Sequence, residues 1–370
     1  MTTARQPHPA SDNLEPDAGG KPVPTFPHPA LGWITFLLIA VLGLFYVKWF
    51  PYYNRAFVAA ANHSIGQSIL MGKAASPPAP SLSAALDYAF AYGKAIWQAM
   101  VLGLLLGSAI QALLPVNWVA KLLGRTSFGS VAAGGLLALP GMMCTCCAAP
   151  VVVGLRERQA SPGGAIAFWL GNSVLNPATL VFMGFVLGWD WTALRLGLGI
   201  LMVFGIGYLV NLMVTPQEAT AAQTQLAELT EKPQTSGTFT RWMQILARMS
   251  VRLIPEYIIL VLALGAARAW LFPFVGPEVS NHIGWIAALA VAGAIFVIPT
   301  AGEVPIVQAM LALGVGVGPA GALLMTLPPI SAPSLAMLAR SFRPQVLAFV
   351  SASVVGFGLA AGLLAIALKF

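Results

Sequence analysis

All three cysteines of a 370-residue chain, Cys144, Cys146 and Cys147, fall within the stretch PGMMCTCCAAPVVVGL at 140–155. Met142 and Met143 precede them, and Pro140, Gly141 and Pro150 flank them. Thiolate and thioether sulfurs select soft ions such as Cu(I), and also Zn(II). Trivalent arsenic is likewise thiophilic. Three thiols can cap an inorganic trivalent arsenic, and two suffice for a methylated one. Residues two apart do not share a helix face. Cys144 and Cys146 are therefore expected to converge only on irregular backbone, which the two prolines and the glycine should supply. The competing role is that of a small apolar filler, since free cysteine is often buried. Three in four positions suit a ligand set better. They do not suggest a disulfide framework.

The surrounding chain says which solvent this site faces. It is 58% hydrophobic and only 8% charged, with a mean hydropathy of +0.81. A soluble domain carries about 25% charged residues. An integral membrane protein is implied. The net charge of +7 reads as basic cytoplasmic loops rather than nucleic-acid binding. Residues 1–30 are polar, with no apolar run near the start, and are expected to form a disordered cytoplasmic tail. The polar stretch at 214–240 reads as a cytoplasmic linker between two halves.

A spanning helix needs about 20 mostly apolar residues. Candidates are Gly32–Phe50, Tyr88–Leu114, Ile166–Leu187, Thr192–Met213, Val251–Phe272, Ala320–Leu338 and Pro344–Leu368. Ser127–Leu155 and Ile283–Gly316 are apolar but interrupted, the first by Pro140, Gly141 and Pro150, the second by Pro299, Gly302 and Pro305. Proline usually stops a helix. In a bilayer such breaks are tolerated only inside the protein or beside a water-filled cavity. The two halves repeat: Pro115 matches Pro273, Pro162 matches Pro319 and Pro177 matches Pro333, at offsets of 156 to 158 residues. Placing the basic loops at 121–125, 156–158 and 241–252 in the cytoplasm gives the two repeats opposite topology. The expected fold is all-α and polytopic: an extra N-terminal transmembrane helix at 31–50, then inverted repeats at 88–213 and 241–370 with broken or re-entrant helices. Inverted repeats with matched breaks are a signature of secondary transporters, with the binding site near the midplane.

Other residues are expected to complete such a site. Glu303 lies in the second-half break, and an intramembrane carboxylate is a functional candidate by default. It is assigned to proton coupling or to a counter-charge for a cationic cargo. Glu256 is expected to pair with Arg252 one helical turn away. Asn172, Ser173 and Asn176 precede Pro177, and Thr326, Ser331 and Ser334 are their counterparts; they either line a polar path or satisfy freed backbone. Trp33, Trp49, Trp189, Trp191, Trp270 and Trp285 read as interfacial anchors. Gly103 and Gly107 form a small-x-x-x-small contact, internal or within a homodimer. No phosphate-binding loop or catalytic triad stands out, so neither ATP hydrolysis nor another enzyme activity is expected, nor any cofactor.

The stretch CTCCAAPVVVGLRERQASPGGAIAFWLGNSVLNP, with GEVP and GVGPAGALL further on, resembles the signatures of the ArsP/YraQ-type predicted permease family. The likeness covers roughly residues 88–370, apart from the linker. Where many members have Cys-Ser-Cys-Gly, this chain has Cys144-Thr145-Cys146-Cys147. The resemblance implies an efflux permease for a soft, thiol-seeking species, as its best-described members export trivalent organoarsenicals.

The joint expectation is an inner (plasma) membrane secondary permease exporting a soft metal(loid), a trivalent arsenical above all, driven by protons. Cys144, Cys146, Cys147, Met143, Asn172, Asn176 and Ser331 form the substrate site, with the three cysteines as metal(loid) ligands. The alternatives are Cu(I) or Zn(II) export, sulfur-anion movement, or a membrane thiol redox or metal-sensing subunit. The partners implied are the solute, membrane lipid and a second copy of the chain in a homodimer, with no nucleic acid.

Overall fold

The computed structural model describes residues 29–71, 77–215 and 238–370. The expected tail at 1–30 lies almost wholly outside them, as does most of the expected linker. Every regular element among the described residues is helical. Six helices are long and apolar enough to cross a membrane, so the chain is a polytopic all-α membrane protein.

The first span joins α1 (Pro29–Leu44) and α2 (Phe50–Asn62) through a π-helical turn at Phe45–Trp49. It is longer than the apolar run at 32–50 suggests and ends at His63, whose left-handed backbone returns its N–H to the Ala59 carbonyl. Then come α3 (Leu82–Leu113), the short α4 (Val116–Leu123), α5 (Phe128–Ala138), α6 (Thr145–Glu157), α7 (Pro162–Val174), α8 (Pro177–Val186), α9 (Trp189–Ile200) and α10 (Ile206–Leu212). A second π-helical turn, Leu201–Gly205, makes α9 and α10 one span. The second half holds α11 (Thr238–Leu271), α12 (Ile283–Ile295), α13 (Glu303–Ala312), α14 (Val317–Thr326), α15 (Ala332–Leu338) and α16 (Pro344–Ala367). Each half thus runs through a long helix, two interrupted pairs and a closing span.

The prolines fall where the backbone can spare a donor. Pro162, Pro177, Pro333 and Pro344 sit in first turns, where a missing N–H has no helical partner to lose. Ser161 and Asn176 cap the helices they precede, and Ser331 with Ser334 forms a capping box. Two expected breaks do not occur. Pro305 is in the first turn of α13 and opens it rather than ending it. Pro150 lies inside α6, so the first-half break is confined to residues 139–144. Both breaks carry a non-glycine residue in the left-handed region, Met142 (φ 48°) and Ala301 (φ 65°). Each stands two residues after a proline, Pro140 and Pro299, so the breaks match in backbone detail as well as in place.

Gly103 and Gly107 face inward within one chain. A Cβ on Gly103 would meet the Cys147 carbonyl, and one on Gly107 the Pro150 carbonyl; Gly154 in turn faces the Gly107 backbone. Small residues let helix backbones approach closely, and here they seat the cysteine helix α6 against α3. Trp189 and Trp270 are exposed, as interfacial anchors should be. Trp191 instead is buried and packs on Phe370, and Trp49 bonds to a break. Gly107→Val should overpack the α3–α6 contact and cost about 1–3 kcal/mol. Gly93→Ala, at a position with nothing within 4 Å, should not destabilise. Thermal unfolding of the two variants in the same detergent checks the difference.

Candidate functional site

The two breaks meet, Thr300 of the second reaching Cys144 of the first. In the first, Cys144 is the N-cap of α6, and Cys146 and Cys147 fall in its first turn. All three thiols are buried and free. The convergence differs from the one the spacing suggests. Cys144 and Cys147, three apart, share a face and bring their Sγ atoms to 2.9 Å. Cys146 points elsewhere, with its Sγ 3.5 Å from the Ser331 hydroxyl of the second half. Helical rather than irregular backbone therefore makes the thiol pair. Among the described residues no three of His, Cys, Asp and Glu are placed to hold a metal ion together.

The supporting residues hold the break open. Asn172 is wholly buried; its Oδ1 accepts the Met143 N–H at 3.4 Å, and its amide donates to the Phe168 carbonyl. Met143 is buried beside the thiols in sequence and tied through its backbone. Asn176 spends its Oδ1 on the first two amides of α8, while its Nδ2 is buried with no partner. Trp169, wholly buried, donates to the Thr145 carbonyl. Of the predicted set, then, Asn172 and Met143 frame the thiols, Ser331 touches Cys146, and Asn176 caps a helix.

Glu303 opens α13 and is 2% exposed. It is not a lone carboxylate. Arg195 of α9, itself buried, donates to it at 2.5 Å and also donates to the Val174 and Ser173 carbonyls. The pair ties the closing span of one half to the break of the other. Glu256 pairs with Arg340 rather than Arg252, at 2.6 Å and largely exposed. Such a surface pair is worth about 0–1 kcal/mol.

A buried cation escaped the sequence reading. Lys48, in the π-helical turn, is 4% exposed. Its ammonium donates to the Tyr52 hydroxyl and to Thr300, both at 3.2 Å. It acts electrostatically on Cys144 and Cys147, and Thr300 reaches Cys144. The neighbouring Trp49 donates to the Pro140 carbonyl at 2.8 Å. Consecutive residues of the N-terminal span therefore touch the two breaks, one each. Tyr88 and Tyr92 of α3 donate to the carbonyls of Val297 and Ile298 in the second break. A signal for Lys48 and Arg195 was present: each is the sole charge in a long apolar run, and intramembrane charges are functional candidates.

An all-α membrane protein with thiols and paired charges at apposed helix breaks is the class that fold and site define. The family comparison agrees. The ArsP_1 model, described as a predicted permease, matches residues 32–170 and 81–366, and the chain belongs to this family of predicted permeases. It is 51% identical over 333 residues to the UPF0718 protein YraQ of Escherichia coli (strain K12), covering 90% of this chain and 94% of that protein. It is 23% identical over 312 residues to the UPF0718 protein MJ0584 of Methanocaldococcus jannaschii, covering 65% of this chain and 84% of that one. No solved structure matches. Membrane transport is thus the general activity.

Removing either member of the Arg195–Glu303 pair strands a buried charge, which typically costs about 3–5 kcal/mol. Arg195→Gln should therefore lower the unfolding temperature strongly. Arg195→Met combined with Glu303→Leu should recover most of the loss, because neither charge is then buried alone. Thermal unfolding of the single and double variants measures this.

Proposed function

We propose that this permease exports a trivalent organoarsenical across the inner membrane, driven by protons. The observation that carries the reading is the buried Cys144–Cys147 pair, with sulfurs 2.9 Å apart at the mouth of a helix break. A methylarsonous acid has one methyl group and two hydroxyl groups on arsenic. Each thiol replaces one hydroxyl, so two As–S bonds form and two waters leave; hydrolysis reverses the step and frees the cargo. Two ligands rather than three suit a carrier that must release what it binds. Cys146, facing Ser331, lies outside this exchange and packs the two halves together.

Proton coupling falls to Glu303. While ionised it holds Arg195 and with it the two halves. A proton on its carboxylate removes the Coulomb attraction and leaves a hydrogen bond at most, which frees the halves to move. Opposite topology of the two repeats would then let the same breaks face either side in turn.

Uptake of methylarsonous acid into everted membrane vesicles tests the reading. Cys144→Ser and Cys147→Ser should each lower accumulation at least tenfold, while Cys146→Ser should keep half or more. Glu303→Gln, in vesicles with matched protein content, should make residual transport insensitive to the proton gradient. Equal accumulation by the Cys144→Ser/Cys147→Ser protein would overturn the thiol site.

A further inference from the structure

A cavity of about 1000 Å³ lies between the N-terminal span, residues 65–71 after it, the first half of α3 and the second-half break. Its α3 wall runs from Asp87 to Ala99, toward the end of that helix remote from the basic loop at 121–125. Three cations line it, Lys48, Arg55 and Arg268, against one carboxylate, Asp87. None of the three cations is in an ion pair among the described residues. Lys48 has only neutral partners, Tyr52 and Thr300. Arg55 donates to the Ile65 carbonyl. Arg268 lies over the Tyr88 ring and makes a long bond to the Ala84 carbonyl.

Behind the same wall, Nε of Arg268 and Oγ of Ser68 are buried without a hydrogen bond to another described residue. Those residues are 6% and 7% exposed. A buried charge without a counter-charge is costly, so a cavity lined by three cations and one carboxylate suits a ligand that supplies acceptors and negative charge. A guanidinium fork, an ammonium and hydroxyls suit an anion with several oxygens.

We infer that this cavity binds a small oxyanion, held by Lys48, Arg55 and Arg268. The inference stands apart from the arsenical reading, because an uncharged methylarsonous acid has no need of three cations. It concerns the approach to the thiols, since Lys48 belongs both to the cavity wall and to the surroundings of Cys144 and Cys147. The N-terminal span, which lies outside the repeated elements, thereby supplies two of the three binding cations.

The test is calorimetric titration of the full chain, in phosphatidylcholine nanodiscs, with sodium sulfate. Sulfate does not react with thiols, so the result is independent of the cysteine chemistry. Saturable binding should weaken at least fivefold in Lys48→Gln and in Arg268→Gln, and less in Arg55→Gln at the exposed mouth. Asp87→Asn should tighten it about two- to threefold, a change that misfolding cannot produce. Binding should persist in Cys144→Ser/Cys147→Ser. A parallel series in discs containing phosphatidylglycerol separates the sources of the anion. Unchanged affinity assigns the site to a water-borne oxyanion, and lost affinity assigns it to a lipid headgroup phosphate on the same cations. No saturable binding, or affinity within twofold across Lys48→Gln, Arg268→Gln and Asp87→Asn, overturns the inference.

Discussion

A backbone carbonyl or amide that leaves a helix inside a bilayer has no water to bond to, and each one left bare costs several kcal/mol. The structure is organised around that constraint at two places, residues 139–144 and 296–302. Protein groups meet the exposed backbone there one by one. Asn172 accepts from Met143, Trp49 donates to Pro140, and Tyr88 and Tyr92 donate to Val297 and Ile298. These partners come from α3, α7 and the N-terminal span. The breaks can therefore exist only when three other elements are already packed around them, which makes the site a product of the whole fold.

The same dependence gives the N-terminal span a physical role. Its π-helical turn places Lys48 and Trp49 against opposite breaks. π-helical turns widen a helix by one residue and recur at functional sites. Here the widening lies where the helix must present an ammonium and an indole in succession to the interior. The span is otherwise largely exposed and apolar, as Leu38, Leu42, Tyr46 and Phe57 show. Outward it is a lipid-facing helix; inward it touches both halves at their weakest backbone.

Much of this was legible in the sequence. Pro140 and Pro299 located both breaks, because proline restricts the backbone in the same way wherever it falls. Clustering of the cysteines located the thiols. Their grouping was not legible, because it depends on where α6 begins. An α6 start at Thr145 puts Cys144 and Cys147 on one face and turns Cys146 toward Ser331. Pro150 misled in the same way, since a proline near the start of a helix and packed against glycine backbone does not end it. Partners across the halves were invisible for a different reason. Arg195 and Glu303 are 108 residues apart, and no local pattern links them. Each could be flagged as a costly intramembrane charge, but only three-dimensional packing joins them.

The charges then fall into an order that polarity alone does not require. One intramembrane cation, Arg195, is matched by a carboxylate and by two carbonyls. Another, Lys48, is matched only by hydroxyls and faces the thiols. If the purpose of burying these groups were stability, a carboxylate beside Lys48 would serve better, because an unpaired buried charge is destabilising. Leaving Lys48 without one keeps a positive field over Cys144 and Cys147 that a paired lysine would lack. Such a field favours an approaching anion over a neutral solute. The asymmetry between the two cations therefore separates a structural tie between the halves from a surface kept ready for something else to bind.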